Sequence, residues 1–237
     1  MTVDVLAVGA HPDDVELGVG GTVNLLVRDG YSVAILDLTR GEMGSRGTPE
    51  ERAQEAADAA HVLGVESRLN AGLPDGQLMS TPDMRLRVIP FIRQLRPRLL
   101  LLPMGNDKHP DHGAAHQLLV DANYLSGLAK IESGEEPYRA PRAYFYPAYA
   151  GAGVPAMVVD ISDTFETKMQ AIGAYRSQFH NPDYEGRDTY ISRPEFWDAI
   201  QSKAAYWGAR IDARYGEPLF TDGPVGVSAL PGLEMRL

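Results

Sequence analysis

Short unbroken apolar runs alternate along the first half of the chain with longer stretches whose apolar residues return every three or four positions. Residues 3–9 (VDVLAVG), 32–38 (SVAILDL), 66–70 and 99–103 (LLLLP) are the runs, and each reads as a strand; 99–103 is expected to be buried on both faces. The intervening stretches read as helices. One is expected over about 22–28, after the glycines Gly18, Gly20 and Gly21, with a stop at Asp29-Gly30. A second opens on Thr48 as N-cap with Pro49 first and Glu51 closing a capping box, and Ala53, Ala56, Ala57, Ala60 and Leu63 form its apolar face. A third opens at Thr81-Pro82 with Leu86, Ile89 and Ile92 buried, and a fourth covers about 111–125. Beyond it the pattern predicts strands at 143–147 and 157–160 and a helix from Ser162-Asp163-Thr164 to about Tyr175. A long helix over 194–215, capped by Ser192, follows, with Phe196, Ile200, Ala204, Trp207, Ile211 and Tyr215 as one buried stripe.

Strands alternating with helices imply an α/β Rossmann-like three-layer sandwich with a mainly parallel sheet, carrying C-terminal α/β additions in a single domain over 1–237. If the strand order is 3-2-1-4-5, the first and fourth strands are neighbours at a topological switch point, where ligands bind outside the carboxyl ends of the strands. His11-Pro12-Asp13-Asp14 follows the first of these strands and His109-Pro110-Asp111-His112 follows the second. Each motif alone reads equally well as turn and capping chemistry. Together in one crevice, their imidazoles and carboxylates supply three ligands for a divalent transition metal plus a spare acid and base, the inventory of a hydrolytic centre with a position open for water.

Other candidates weigh less. Gly18, Gly20 and Gly21 lack the G-x-G-x-x-G spacing of a dinucleotide loop and are expected to serve tight helix–sheet packing. His116, four residues past His112, has ligand spacing but is expected to face its helix surroundings; His61 is expected to be structural, and the role of His180 is open. Arg40, Arg46 and Arg52 cluster after the second strand and read either as solvated surface arginines or as a cationic wall for an anionic substrate. Asp75, in Leu73-Pro74-Asp75-Gly76, is turn chemistry or a reader of a sugar hydroxyl.

The 237 residues carry a formal net charge of −10, which disfavours nucleic acid and anionic membranes as partners and leaves a small molecule. There is no cysteine, so disulfides, thiolate ligands and cysteine nucleophiles are excluded. The N-terminus lacks a basic signal-peptide region and the longest apolar run is too short to span a bilayer, so a cytoplasmic location is expected. Of 19 aromatic residues, 15 lie between Tyr144 and Phe220, suited to a lid, a pocket wall or a subunit interface, and a homo-oligomer is expected.

Ala10-His11-Pro12-Asp13-Asp14-Val15-Glu16, with one extra residue before the glutamate, and His109-Pro110-Asp111-His112 resemble the two motifs of the LmbE/PIG-L family of zinc-dependent N-acetylglucosamine deacetylases. Thr39-Arg40-Gly41-Glu42, the 46–52 segment RGTPEER, Leu73-Pro74-Asp75-Gly76, the 175–179 segment YRSQF and Gly223-Pro224-Val225-Gly226 extend the resemblance over nearly the whole chain, towards the bacillithiol-biosynthesis branch, which deacetylates N-acetylglucosaminyl-malate. The resemblance implies that His11, Asp14 and His112 bind the metal (zinc, with ferrous iron the alternative) and that Asp13 is the general base. It further implies that His109, oriented by Asp111, is the acid or electrostatic partner, and that Arg52 and Asp75 hold the sugar; Arg46 is expected to bind substrate as part of the arginine cluster. Some relatives place an oxyanion-stabilising tyrosine where this chain has Asp107, so His109, the metal or another residue must take that role. The alternatives are an amidase for another N-acetyl sugar or a thiol S-conjugate, and a binding module with a structural metal.

Overall fold

The computed structural model describes residues 2–149 and 153–226. Five parallel strands form the central sheet: β1 (Val5–Gly9), β2 (Val33–Asp37), β3 (Ser67–Asn70), β4 (Leu99–Pro103) and β5 (Ala143–Tyr146), in the order β3-β2-β1-β4-β5. Successive residues of a strand point to opposite faces, so Val5 and Ala7 enter one apolar layer while Leu6 and Val8 enter the other. The first layer is closed by α1 (Asp14–Arg28), α2 (Pro49–Leu63), α5 (Phe165–Gly173) and α6 (Pro194–Ala209). The second is closed by α3 (Pro82–Leu95) and α4 (Pro110–Ser126). An antiparallel pair, β6 (Met157–Asp160) and β7 (Gly216–Leu219), lies apart from the main sheet, and a single bridge from Phe145 to Phe220 ties the chain after β7 to β5. Among the described residues, no helix is long and apolar enough to cross a membrane.

The predicted α/β architecture is observed, the strand order is the one that a shared switch point requires, and the capping box of α2 forms as expected: Thr48 Oγ1 accepts from Glu51 N at 3.1 Å and Glu51 Oε2 from Thr48 N at 2.7 Å. Several expectations need correction. Ala53 and Ala57 are exposed, and Arg52 and Ala59 take their place on the buried face of α2. Leu86 is exposed as well, because α3 buries Val88, Ile89 and Ile92 instead. α6 stops at Ala209, six residues short of the expected end. The chain folds back across Gly208, where any Cβ would lie 2.6 Å from the Tyr215 backbone nitrogen, and Tyr215 leads into β7. Ile211 therefore leaves the buried stripe, and Ser192 lies one residue ahead of the N-cap position, which Arg193 occupies.

The largest difference is in α1. It starts at Asp14, directly after the first motif, and contains all three glycines that were expected to precede it. Two of them are there for packing: a Cβ on Gly18 would overlap the Tyr146 ring, and one on Gly21 would sit 2.8 Å from Ile161 Cβ. Helix propensity is low in such a stretch, and tertiary contacts override it. The helix is broken at Val19 (φ −141°, ψ 21°), and a buried ion pair occupies the break. Glu217 accepts from Gly21 N (3.0 Å), Thr22 N (2.7 Å) and Thr22 Oγ1 (2.6 Å), while Lys168 Nζ donates to Leu17 O (2.9 Å) and meets Glu217 Oε1 at 2.5 Å.

Glu217→Ala leaves two buried helix N–H groups without their acceptor and the Lys168 ammonium without its counter-charge, with Leu17 O still accepting from it. Removing one partner of a buried pair costs about 3–5 kcal/mol, so the denaturation midpoint falls sharply in guanidinium titrations. A change under about 1 kcal/mol would show that water replaces the carboxylate at little cost.

Candidate metal centre

Both motifs sit where a strand turns into a helix. After β1 the chain turns at His11–Asp13, with Asp13 in the left-handed region (φ 107°) as the residue preceding α1. Non-glycine residues avoid that region, and where one is held there the surroundings must enforce it. Here Arg52 contributes: its guanidinium donates to Pro12 O (2.7 Å) and Gly41 O (2.9 Å) and pairs with Asp13 Oδ2 at 3.2 Å. These acceptors offset the unfavourable placing of a cation in the first turn of α2. After β4, His109 is the N-cap of α4, with Nδ1 accepting from Asp111 N at 3.2 Å, and Pro110 follows as the first helical residue.

Because β1 and β4 are paired neighbours, the turns converge. The ring nitrogens of His11, His109 and His112 lie within 4.8 Å of one another, and so do the donor atoms of His11, Asp75 and Asp111. Asp14, buried in the first turn of α1, stands between two imidazoles: Oδ2 is 3.5 Å from His11 Nδ1 and Oδ1 is 3.0 Å from His112 Nε2. The opposite nitrogen of each ring faces carboxylates. His11 Nε2 meets Asp75 Oδ1 (3.0 Å) and Asp111 Oδ2 (3.2 Å), and His112 Nδ1 meets Asp107 Oδ2 (3.1 Å). Carboxylates accept only, so those outer nitrogens carry protons, and in the neutral rings the inner nitrogens are left with lone pairs towards Asp14. Asp14 Oδ1 and His112 Nε2 are buried, out of hydrogen-bonding alignment with each other, and have no other partner. Lone pairs of an imidazole and a carboxylate turned on one another call for a cation between them, and this donor set fits a divalent metal.

Without one, protons substitute. Burial works against charge on His112, but Asp14 and Asp107 outweigh it and raise the ring to about 9; around His11, the carboxylates of Asp111, Asp14 and Asp75 likewise hold the ring well above its ordinary value despite burial. Asp13 behaves oppositely: burial, reinforced by Asp14 and opposed by Arg52, pushes it up to about 7. Burial and the positive charges of His11 and His112 lower His109, so it is neutral at pH 7, with its proton on Nε2 because Nδ1 accepts from the backbone.

Some expected site residues are placed differently. The Asp111 carboxylate turns to His11 and to Gly76 N (2.8 Å), and only its backbone N–H orients His109. Asp75 accepts from Met43 N (2.8 Å) as well as facing His11. Arg46 is buried, donating to Ser177 O (2.6 Å) and Arg187 O (3.1 Å) and stacking on Tyr184, while Gln178 Nε2 donates back to Arg46 O (2.6 Å). Of the three arginines, only Arg40 is exposed. His116 packs on Phe145 with Nδ1 near Pro103 O (3.1 Å), while His61 and His180 are exposed; none of the three joins the clusters. Sequence reasoning did not foresee Asp107 as the partner of His112, nor Tyr149, whose ring stacks on His112 at 5.3 Å and 7°. Lys203 was also missed, although a lysine between Ile200 and Ala204 on an otherwise apolar stripe was a signal.

The family model described as PIG-L, GlcNAc-PI de-N-acetylase, matches residues 6–123. Diacetylchitobiose deacetylase of Thermococcus kodakarensis is 29% identical over 98% of this chain and 85% of its own length. The probable N-acetyl-alpha-D-glucosaminyl L-malate deacetylase 2 of Bacillus cereus is 30% identical over 73% of this chain and 83% of its own. Among solved structures, the conserved protein TT1542 from Thermus thermophilus superposes with a TM-score of 0.88 at 41% identity, covering 100% of both chains. The family match over 6–123, with the Bacillus cereus relative 30% identical over 73% of this chain, makes this chain a member of the PIG-L family, an enzyme of the deacetylase class.

Proposed function

We propose that the protein removes the acetyl group from an N-acetylglucosaminyl conjugate, using a divalent metal held by His11, Asp14 and His112. The observation that carries this reading is that the buried atoms Asp14 Oδ1 and His112 Nε2 lie 3.0 Å apart with no hydrogen bond to any other described group, beside an independent acid–base pair. Two imidazoles and one carboxylate suit zinc, with ferrous iron the alternative. A bound ion would acidify water and polarise the acetyl carbonyl.

The chain's own groups supply the remaining steps. Asp13, paired with Arg52 at 3.2 Å, takes a proton from the attacking water, and its burial favours that uptake. His109 Nδ1 accepts from the Asp111 backbone N–H, which leaves its Nε2–H to donate a hydrogen bond to the oxygen that gains charge. The leaving amine takes its proton from Asp13, which balances the reaction. A structural metal site would have no use for this pair, and that separates the hydrolase from a binding module.

We further propose that the aglycone bears a carboxylate, as in the malate conjugate, and that Lys108 reads it. Arg46 and Arg52 are turned into the protein and bound there, whereas Lys108 is exposed next to His109, its Nζ 4.9 Å from the Tyr190 ring centre. The Bacillus cereus relative supports a malate conjugate, and the Thermococcus relative supports a neutral sugar as the competing aglycone.

Three outcomes are expected. His112→Ala abolishes stoichiometric zinc binding in calorimetric titration, and full occupancy would remove His112 from the ligand set. Asp13→Asn keeps the metal and lowers acetate release by about 100- to 10,000-fold; near-normal turnover would place the base elsewhere. In an acetate-release panel, the malate conjugate exceeds diacetylchitobiose in kcat/KM by about tenfold or more, one charge-assisted contact. Lys108→Ala erases most of that margin, whereas Arg46→Ala lowers stability. Equal turnover of the two substrates would overturn the carboxylate reading and leave the deacetylase reading intact.

A further inference from the structure

Lys203 is half-buried on α6, far in sequence from either motif, yet it is hydrogen-bonded into the metal centre. Its Nζ donates to Ala148 O (2.9 Å) and Tyr149 O (3.0 Å). The N–H groups of the same two residues converge on one carboxylate oxygen, Asp107 Oδ2, at 3.0 and 3.1 Å. That oxygen is also the one facing His112 Nδ1. The carbonyl of Ala148 and the N–H of Tyr149 belong to a single peptide group, so an ammonium lies at its oxygen end and a carboxylate at its hydrogen end. Each polarises the peptide in the direction that strengthens the other's bond. The Tyr149 ring meanwhile stacks on His112, so the segment that Lys203 anchors holds the imidazole through both its edge and its face.

We propose that Lys203 is a positioning residue for the metal centre: through the 148–149 peptide it fixes Asp107, and Asp107 fixes His112 with its proton on Nδ1 and its Nε2 free to bind metal. The proposal rests on His112 being a ligand. Its chemistry is that of an outer partner setting the tautomer and direction of a metal-binding histidine. Lys203 suits this task because it pairs with carbonyls, and a carboxylate partner in their place would compete with the peptide for the ammonium. Repulsion from Lys168 adds to burial in lowering its affinity for a proton to about 8, and Asp107 and Glu217 partly restore it, so it is charged at neutral pH.

The test uses the full chain and zinc. Lys203→Met keeps length and removes charge and donors; Lys203→Gln keeps one donor and is the gentler change should the methionine variant fail to fold. Zinc affinity by competition titration is expected to fall about tenfold or more for Lys203→Met, with Lys203→Gln in between and Lys203→Arg close to the unaltered protein. In the zinc-loaded protein, the His112 Nδ1–H proton, seen by nitrogen-15 NMR, should exchange faster with solvent in both weakened variants. The His11 Nε2–H proton should stay protected. Unchanged zinc affinity in Lys203→Gln or Lys203→Met would overturn the proposal, as would equal loss of protection at His11 and His112, the mark of general loosening. If His112→Ala retained zinc, the ligand assignment would fail instead, and the two results are separable.

Discussion

Three register pairs, Val5 with Leu99, Leu6 with Leu100 and Ala7 with Leu101, lay β1 beside β4, and everything at the site follows from that pairing. Parallel neighbours end on the same edge of a sheet, so turns separated by about a hundred residues are delivered to one place. A shift of one residue would move each strand's side chains to the opposite face and bring the wrong layer under the wrong helices. The register is protected because both faces are buried: Leu101 belongs to one apolar layer, Leu100 and Leu102 to the other. Precision at the metal centre thus comes from hydrophobic packing well below it.

Above the sheet the organising force is electrostatic. Asp13, Asp14, Asp75, Asp107 and Asp111 gather around three imidazoles with little water to separate them. Such a group is tolerable only if positive charge is present, and the chain provides some of it permanently. Arg52 serves Asp13, and behind the loop Arg68 pairs with Glu16 at 2.6 Å and Asp37 at 2.8 Å. The imidazoles take up the rest as protons when no metal is bound. On the ligand set proposed above, metal entry would displace those protons.

The strands, most helices and both motifs were legible because they are written in local pattern, whereas the strand order entered only as a condition. Runs such as LLLLP announce a doubly buried strand, and the Thr48-Pro49-Glu50-Glu51 cap announces a helix start. What escaped was set by distant partners. The glycines of α1 read as a loop because nothing in residues 14–22 reveals Tyr146, Ile161 or Glu217. The arginines read either as solvated or as a substrate wall, and neither reading foresaw that Arg46 is buried on Ser177 and Arg187, more than a hundred residues on. Asp107 read as a departure from a family pattern, although two residues beyond Phe145 and Tyr146 the chain returns to pair with it. The family match ends at residue 123, and much of what steadies the motifs lies after it.

The break in α1 has a bearing on how the site comes into being. The first half of that helix carries Asp14, and its broken backbone is completed by Lys168 and Glu217, contributed by the last third of the chain. During synthesis the motif emerges first, while the groups that hold its helix emerge last. A growing chain that already contains His11, Asp14 and His112 still lacks the frame that aims them. The protein is thereby built so that a charged, metal-hungry cluster takes its final form only after nearly all of the chain has been made.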